Sequence, residues 1–187
     1  ETFERHGVSF VSVTQQFNTT HSMGRLTLNI LLSFAQFERE IISERTRDKI
    51  AAAKRKGLWG GGRPILGYDI ERLPSGNRLA VNEGEADRVR RIFELYLECG
   101  SLLPTIRKID ERGWTNKAWT SRAGEPMGGR PFDKKTLFGL LTNVAYLGRV
   151  RHKEQVFDGQ HEAIVSEELF QRVARRLKGN RSAEGRG

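Results

Sequence analysis

Apolar positions crowd residues 23–43 and thin out over residues 44–57. Ile30, Phe34, Phe37 and Ile41 recur at steps of four, three and four, the period of one helical face. Leu28, Leu31, Leu32, Ala35 and Ile42 widen that face beyond a one-sided stripe. The pattern predicts one long helix over residues 23–57, capped by Thr20 or Ser22 and closed by Gly57. So broad an apolar surface needs cover on several sides. A core helix of a domain would get it from its own chain, a dimer helix from a second subunit, and the two readings are compatible. Met23, Leu26, Ile30, Phe34, Phe37 and Ile41 are the expected dimer contacts.

Before this helix, the alternation Val8–Val13 predicts a strand and the polar run Gln15–His21 a loop. A single strand is not stable alone, so the chain is expected to start inside a domain whose earlier part precedes Glu1. After the helix the pattern predicts a hairpin from Tyr68–Ile70 and Leu79–Val81 around Pro74–Asn77. An amphipathic helix is expected over Glu83–Cys99, with Ala86, Val89, Ile92, Phe93, Tyr96 and Leu97 inward and Gly100 as its stop. A shorter helix, Ser101–Arg112, should bury Leu102, Leu103, Ile106 and Ile109. Residues 114–130 read as a polar loop carrying Trp114 and Trp119. Asp133 should cap a helix over Lys134–Thr142 that buries Leu137, Phe138, Leu140 and Leu141. Strands over Gly148–Phe157 and Glu162–Val165 are expected around an Asp158-Gly159 turn, then a helix over Glu167–Leu177 and a frayed tail. The expected class is mainly α with small β elements. Its domains divide as residues 1–57, a linker 58–67, a second domain 68–178 and a flexible tail 179–187.

Charge adds a partner to this outline. The 187 residues carry a formal net charge of +9, with a sequence pI of about 10.1, which favours a polyanion. From Arg45 to Arg63 the bases are Arg45, Arg47, Lys49, Lys54, Arg55, Lys56 and Arg63, and Asp48 is the only acid. A charge run is commonly just a solvated face, but here the bases continue after the acids stop, as phosphate contacts require. Gly60–Pro64 reads either as a plain linker or as a slim cationic segment suited to a narrow minor groove. The two short helices, the second opening on Lys134-Lys135-Thr136, resemble a helix-turn-helix unit with an elaborated loop. Arg45, Lys49, Lys54, Arg55, Lys56, Arg63, Arg130, Lys134, Lys135 and Thr136 are therefore the candidate DNA contacts. The single cysteine, Cys99, excludes an intrachain disulfide and a Cys-rich zinc site. No metal or cofactor is expected. No apolar run is long enough to span a bilayer and the charged start, ETFERHG, has no signal-peptide core, so a cytoplasmic setting is expected.

Ordered motifs carry a resemblance. Gly7-Val8-Ser9-Phe10, Met23-Gly24-Arg25, Ala35-Gln36-Phe37-Glu38-Arg39-Glu40, Glu44-Arg45-Thr46, Gly61-Gly62-Arg63-Pro64 and Gly67-Tyr68 are similar to the end of the catalytic domain, and the following linker, of serine recombinases of the resolvase/invertase type. Asn143–Gly148 and His161–Val165 resemble the recombinase domain of the large members, the integrase subgroup, although Val144 stands where that family usually has Pro. The resemblance implies site-specific recombination through a phosphoserine link, without metal, on double-stranded DNA, by dimers that assemble into tetramers. It implies that the nucleophilic serine precedes Glu1: none of Ser9, Ser12, Ser22, Ser33 or Ser43 stands in its motif. Arg45 is then either close to the catalytic machinery or a phosphate clamp without chemistry. The family's zinc ribbon cannot form with one cysteine, so the chain is expected to be a middle piece or a natural remnant. A catalytically inactive DNA-binding regulator and a plain dimerising scaffold are the competing readings.

Overall fold

The computed structural model describes residues 11–12, 17–18, 22–121 and 123–184. The chain divides into two compact units, residues 1–49 and 50–187.

In the first unit a two-residue strand β1 (Val11–Ser12) pairs antiparallel with β2 (Phe17–Asn18), Val11 facing Asn18. Strand pairing thus enters the segment expected to be a loop; the rest of the expected Val8–Val13 strand and the Thr20 cap lie outside the described residues. Helix α1 (Ser22–Arg55) is the expected long helix. Ser22 is part of it rather than its cap. It buries no residue anywhere along its length. Of the expected dimer contacts, Met23, Leu26, Ile30, Phe34 and Phe37 are exposed, and Ile41 is half-buried. Thr27, Ser33 and Thr46 return their hydroxyls to carbonyls one turn back, so these polar side chains cost the helix no backbone bond.

In the second unit the end of α1 is closed by Gly57, whose φ of +74° lets the Leu58 N–H reach Ala53 O at 3.0 Å. The 58–67 segment is not merely a tether: Leu58 and Leu66 are buried, and Trp59 bridges Asn77. Strands β3 (Tyr68–Leu73) and β4 (Gly76–Val81) form a hairpin longer than expected, from Tyr68 opposite Val81 to Leu73 opposite Gly76. Helix α2 (Glu83–Cys99) has the expected bounds. Asn82 caps it by accepting the Glu85 N–H, and Gly100, at φ +77°, ends it. Its buried face is Ala86, Val89, Ile92, Phe93, Tyr96 and also Leu95.

Helix α3 (Leu102–Glu111) buries Ile109 and, unexpectedly, Thr105, whose hydroxyl is satisfied by Ser101 O at 2.7 Å. Leu103, expected inside, is exposed because it lies beyond the edge of that stripe. The expected loop over residues 114–130 contains a hairpin, β5 (Ala118–Thr120) with β6 (Pro126–Gly128). Helix α4 (Lys134–Leu141) opens on a capping box between Asp133 and Thr136 and buries Leu137, Leu140 and Leu141. Phe138, expected to be packed, is more than a third exposed.

A 3-10 turn (Val144–Leu147) leads into β7 (Arg149–His152) and β8 (Gln155–Asp158). This hairpin turns at Lys153-Glu154, with Lys153 at φ +53°, not at Asp158-Gly159, and residues 162–165 form no strand. Helix α5 (Glu167–Glu184) continues through most of the expected frayed tail. One apolar core joins Tyr68 and Leu79 to α2, α3, α4 and α5.

At its centre the segments Gly67-Tyr68, Asn143–Gly148 and His161–Val165 meet. The Tyr68 hydroxyl lies 2.7 Å from Glu162 O and 3.1 Å from Ala145 O. The Tyr146 hydroxyl donates to Leu66 O at 3.0 Å, and His161 Nε2 lies 2.8 Å from Ala145 O, with its ring edge-on to Tyr68. Burial pushes both phenols far up and holds the His161 imidazole below its ordinary value of 6.5. These motif residues are core residues that satisfy one another's polar atoms, not a reactive site.

Candidate nucleic-acid interface

Three of the expected DNA contacts that are remote in sequence come together. Arg63, Arg130 and Thr136 line one open hollow of about 590 Å3. Arg63 arrives on the Gly60–Pro64 segment, Arg130 on the exit of the β5–β6 hairpin, and Thr136 on the first turn of α4. Lys134 and Lys135 are exposed beside Thr136 in that turn. The Thr136 hydroxyl is already engaged: it accepts the Asp133 N–H at 2.9 Å and lies 2.8 Å from Asp133 Oδ1. Its service is to start the helix. The Asp133 carboxyl is held below the usual range by the Thr136 N–H and hydroxyl, which bond its ionised form.

The basic end of α1 is the second cluster. Arg45 and Lys49 are exposed in the first unit. Lys54, Arg55 and Lys56 belong to the second, where Arg55 and Lys56 are exposed and the Lys54 stem lies over Gly60. This last turn is fastened to the β7–β8 exit: the Gln160 N–H donates to Gly57 O at 2.8 Å, and Gln160 Nε2 to Lys56 O at 2.7 Å. Among the described residues, none of Arg45, Lys49, Lys54, Arg55, Lys56, Arg63, Arg130, Lys134 and Lys135 has a carboxylate within 4.0 Å. Their charge is therefore available to a polyanion.

Lys117 also borders the hollow, but differently. It is 8% exposed, and its ammonium donates to Asp69 Oδ1 and Glu85 Oε2, both at 2.7 Å. Burial alone would pull its pKa down; the two carboxylates outweigh that and raise it, while Lys117 holds Asp69 low. Glu85 Oε2 further accepts the Gly67 N–H, and Asp69 Oδ2 the Asn82 amide. Lys117 thus ties the β5–β6 hairpin to the start of β3 and of α2. Sequence reasoning missed Lys117, Asn116, Trp119, Met127 and Asn143, all of which line the hollow. The available signal was the pair of short segments Ala118–Thr120 and Pro126–Gly128 flanking a turn. Among the described residues no cluster of His, Cys, Asp or Glu is placed to hold a metal ion, and no helix is long and apolar enough to cross a membrane.

The chain is similar to known proteins in sequence and in fold. Residues 83–180, more than half of the chain, match a family described as Recombinase, and residues 1–59 match one described as Resolvase, N terminal domain. A probable DNA-invertase of Sinorhizobium fredii is 33% identical over 62% of this chain and 36% of its own length. The Tn917 transposon resolvase of Enterococcus faecalis is 42% identical over 36% of each chain. A DNA-invertase of Enterobacteria phage P7 is 34% identical over 51% of this chain and 50% of its own. The chain thus spans between about a third and a half of these relatives. Two solved structures share the fold at 24% identity. One is an LSR–DNA complex, with a TM-score of 0.55 over 72% of this chain and 39% of that one. The other comes from work on the Listeria innocua prophage attP site, with a TM-score of 0.53 over 68% and 49%.

Proposed function

Because the chain belongs to the serine recombinase family, we propose that it is the duplex-binding and subunit-pairing part of a site-specific recombinase. Residues 68–178 bind one half of an attachment site in the cytoplasm, and α1 carries the chain from the catalytic domain across the duplex. The strand-cleaving serine is assigned to no residue of this chain.

The observation that carries this reading is the convergence of Arg63 and Arg130 on one hollow beside the Lys134-Lys135 turn, with no carboxylate neutralising them. A positively charged concavity bounded by a slim Gly-Arg-Pro segment and a helix start suits duplex DNA. Arg63–Pro64 would follow the minor groove, and Lys134 and Lys135 would enter the major groove. The exposed stripe on α1, with Phe34 64% and Phe37 58% accessible, supports pairing with a second subunit. Titration of a labelled duplex by fluorescence anisotropy tests the reading: binding should weaken steeply with salt, as counterion release requires. Failure to bind any duplex at low salt would leave only the scaffold.

A further inference from the structure

The hollow lined by Arg63 and Arg130 is one-sided in its charge. No Asp or Glu lines it. Asn116 Oδ1 accepts the Arg130 N–H at 3.1 Å, and Asn143 Oδ1 accepts the Ala145 N–H at 3.1 Å. Both amides are thereby oriented with the oxygen towards the backbone, and each retains its NH2 as a donor. The two guanidiniums offer donors only. Lys117, the remaining cation, is neutralised by Asp69 and Glu85. Trp119 and Met127, opposite each other in the β5–β6 register, supply an apolar wall. The Trp119 ring lies so close over Gly128 that a β-carbon there would sit 2.6 Å from it, so only glycine admits this wall.

A cavity with two free guanidiniums, no acid and an apolar side discriminates among ligands. Base edges in the major groove are neutral and present donors as well as acceptors, so two unneutralised guanidiniums draw them less strongly than they draw an anion. A phosphodiester presents acceptors only, carries negative charge, and is flanked by the apolar faces of deoxyribose. From the duplex-binding reading, on which this step rests, we infer that the hollow seats one sugar–phosphate strand of the DNA. Asn116 and Asn143 act as phosphate donors there beside Arg63 and Arg130, and base reading falls to the flanking elements. Such a strand is the ridge that separates the minor groove, proposed for Arg63–Pro64, from the major groove, proposed for the start of α4.

Asn116→Asp and Asn143→Asp test this, because each keeps the Oδ acceptor that holds the backbone, removes the donor and sets a negative charge against the phosphate. A duplex is first selected by the 187-residue chain from a randomised pool, then remade with a single neutral methylphosphonate at each linkage in turn. The unaltered chain should lose about tenfold in affinity at one or two adjacent linkages, the scale of a hydrogen bond to a charged group. Asn116→Asp should bind the native duplex about tenfold more weakly, melt at an unchanged temperature, and no longer sense those linkages. If Asn116→Asp instead responds to every neutral linkage as the unaltered chain does, the strand seat is wrong. If it also selects a different base, Asn116 is a base reader. If the unaltered chain selects no duplex, the duplex-binding reading itself fails, and the strand seat with it.

Discussion

The Lys117 ammonium sits 2.7 Å from Glu85 Oε2, joining the base of the β5–β6 hairpin to the first turn of α2. Glu85 also takes the Gly67 N–H, so one carboxylate holds both Gly67, at the start of β3, and Lys117, at the entry to β5. Removing the cation leaves Glu85 largely enclosed without its counter-charge. Lys117→Met should therefore cost about 1–3 kcal/mol. That is less than the full cost of breaking a buried pair, because the Asp69 side chain is 60% exposed. Urea denaturation checks it; an unchanged midpoint would show that the hairpin is held by other contacts.

Gly57 is the junction between α1 and the second unit. Its φ of +74° disfavours any side chain, and a β-carbon would collide with the Asp158 carbonyl oxygen. Gly57→Ala should destabilise the second unit by about 1–3 kcal/mol through backbone strain and this collision together. Thermal unfolding should show the drop. Gly61, also at positive φ but with open space around it, should tolerate the same change better.

His161 makes stability depend on pH. Burial depresses its pKa, although the hydrogen bond with Ala145 O works the other way. The folded chain holds His161 neutral where the unfolded chain takes up a proton. This contribution is complete above the ordinary value of 6.5 and is lost as pH falls through the depressed folded value. Urea midpoints should decline as pH falls below the ordinary histidine value of 6.5, and His161→Gln should flatten that decline. An equal decline in the variant would assign the slope to other groups.

The exposed face of α1 should drive association. Phe34 and Phe37 together present a large apolar surface on a helix that buries nothing within its own chain. Phe37→Glu should shift sedimentation towards monomer and leave the melting of the second unit unaffected. Unchanged sedimentation would remove this face from the interface.

What could be read in the sequence follows from how local the cause was. Helix α2 was legible to the residue, because Asn82, a 3.6-residue stripe and Gly100 all lie within it or at its ends. The β5–β6 hairpin was not, because its three-residue strands contain Pro126 and Gly128 and are stabilised by Lys117 reaching Asp69 and Glu85 far away. Asp158-Gly159 looked like a turn, but Gly159 is needed for another reason: a β-carbon there would strike the His161 ring and the Gly148 carbonyl. The positive φ of the real turn falls on Lys153. The tail read as frayed, whereas Asn180 anchors it by donating to Gly100 O at 2.7 Å. For the candidate interface the charged members were legible by composition. Asn116 and Asn143 were not, since their orientation depends on backbone groups that only the fold brings near.

The central claim is that Arg63 and Arg130 meet DNA phosphate from a shared hollow. Its most direct test is the slope of log affinity against log salt for the unaltered chain, Arg63→Ala and Arg130→Ala on one selected duplex. The account predicts a steep slope for the unaltered chain, reduced by about one in each variant, with affinity lower throughout. Slopes and affinities identical in all three proteins would contradict it.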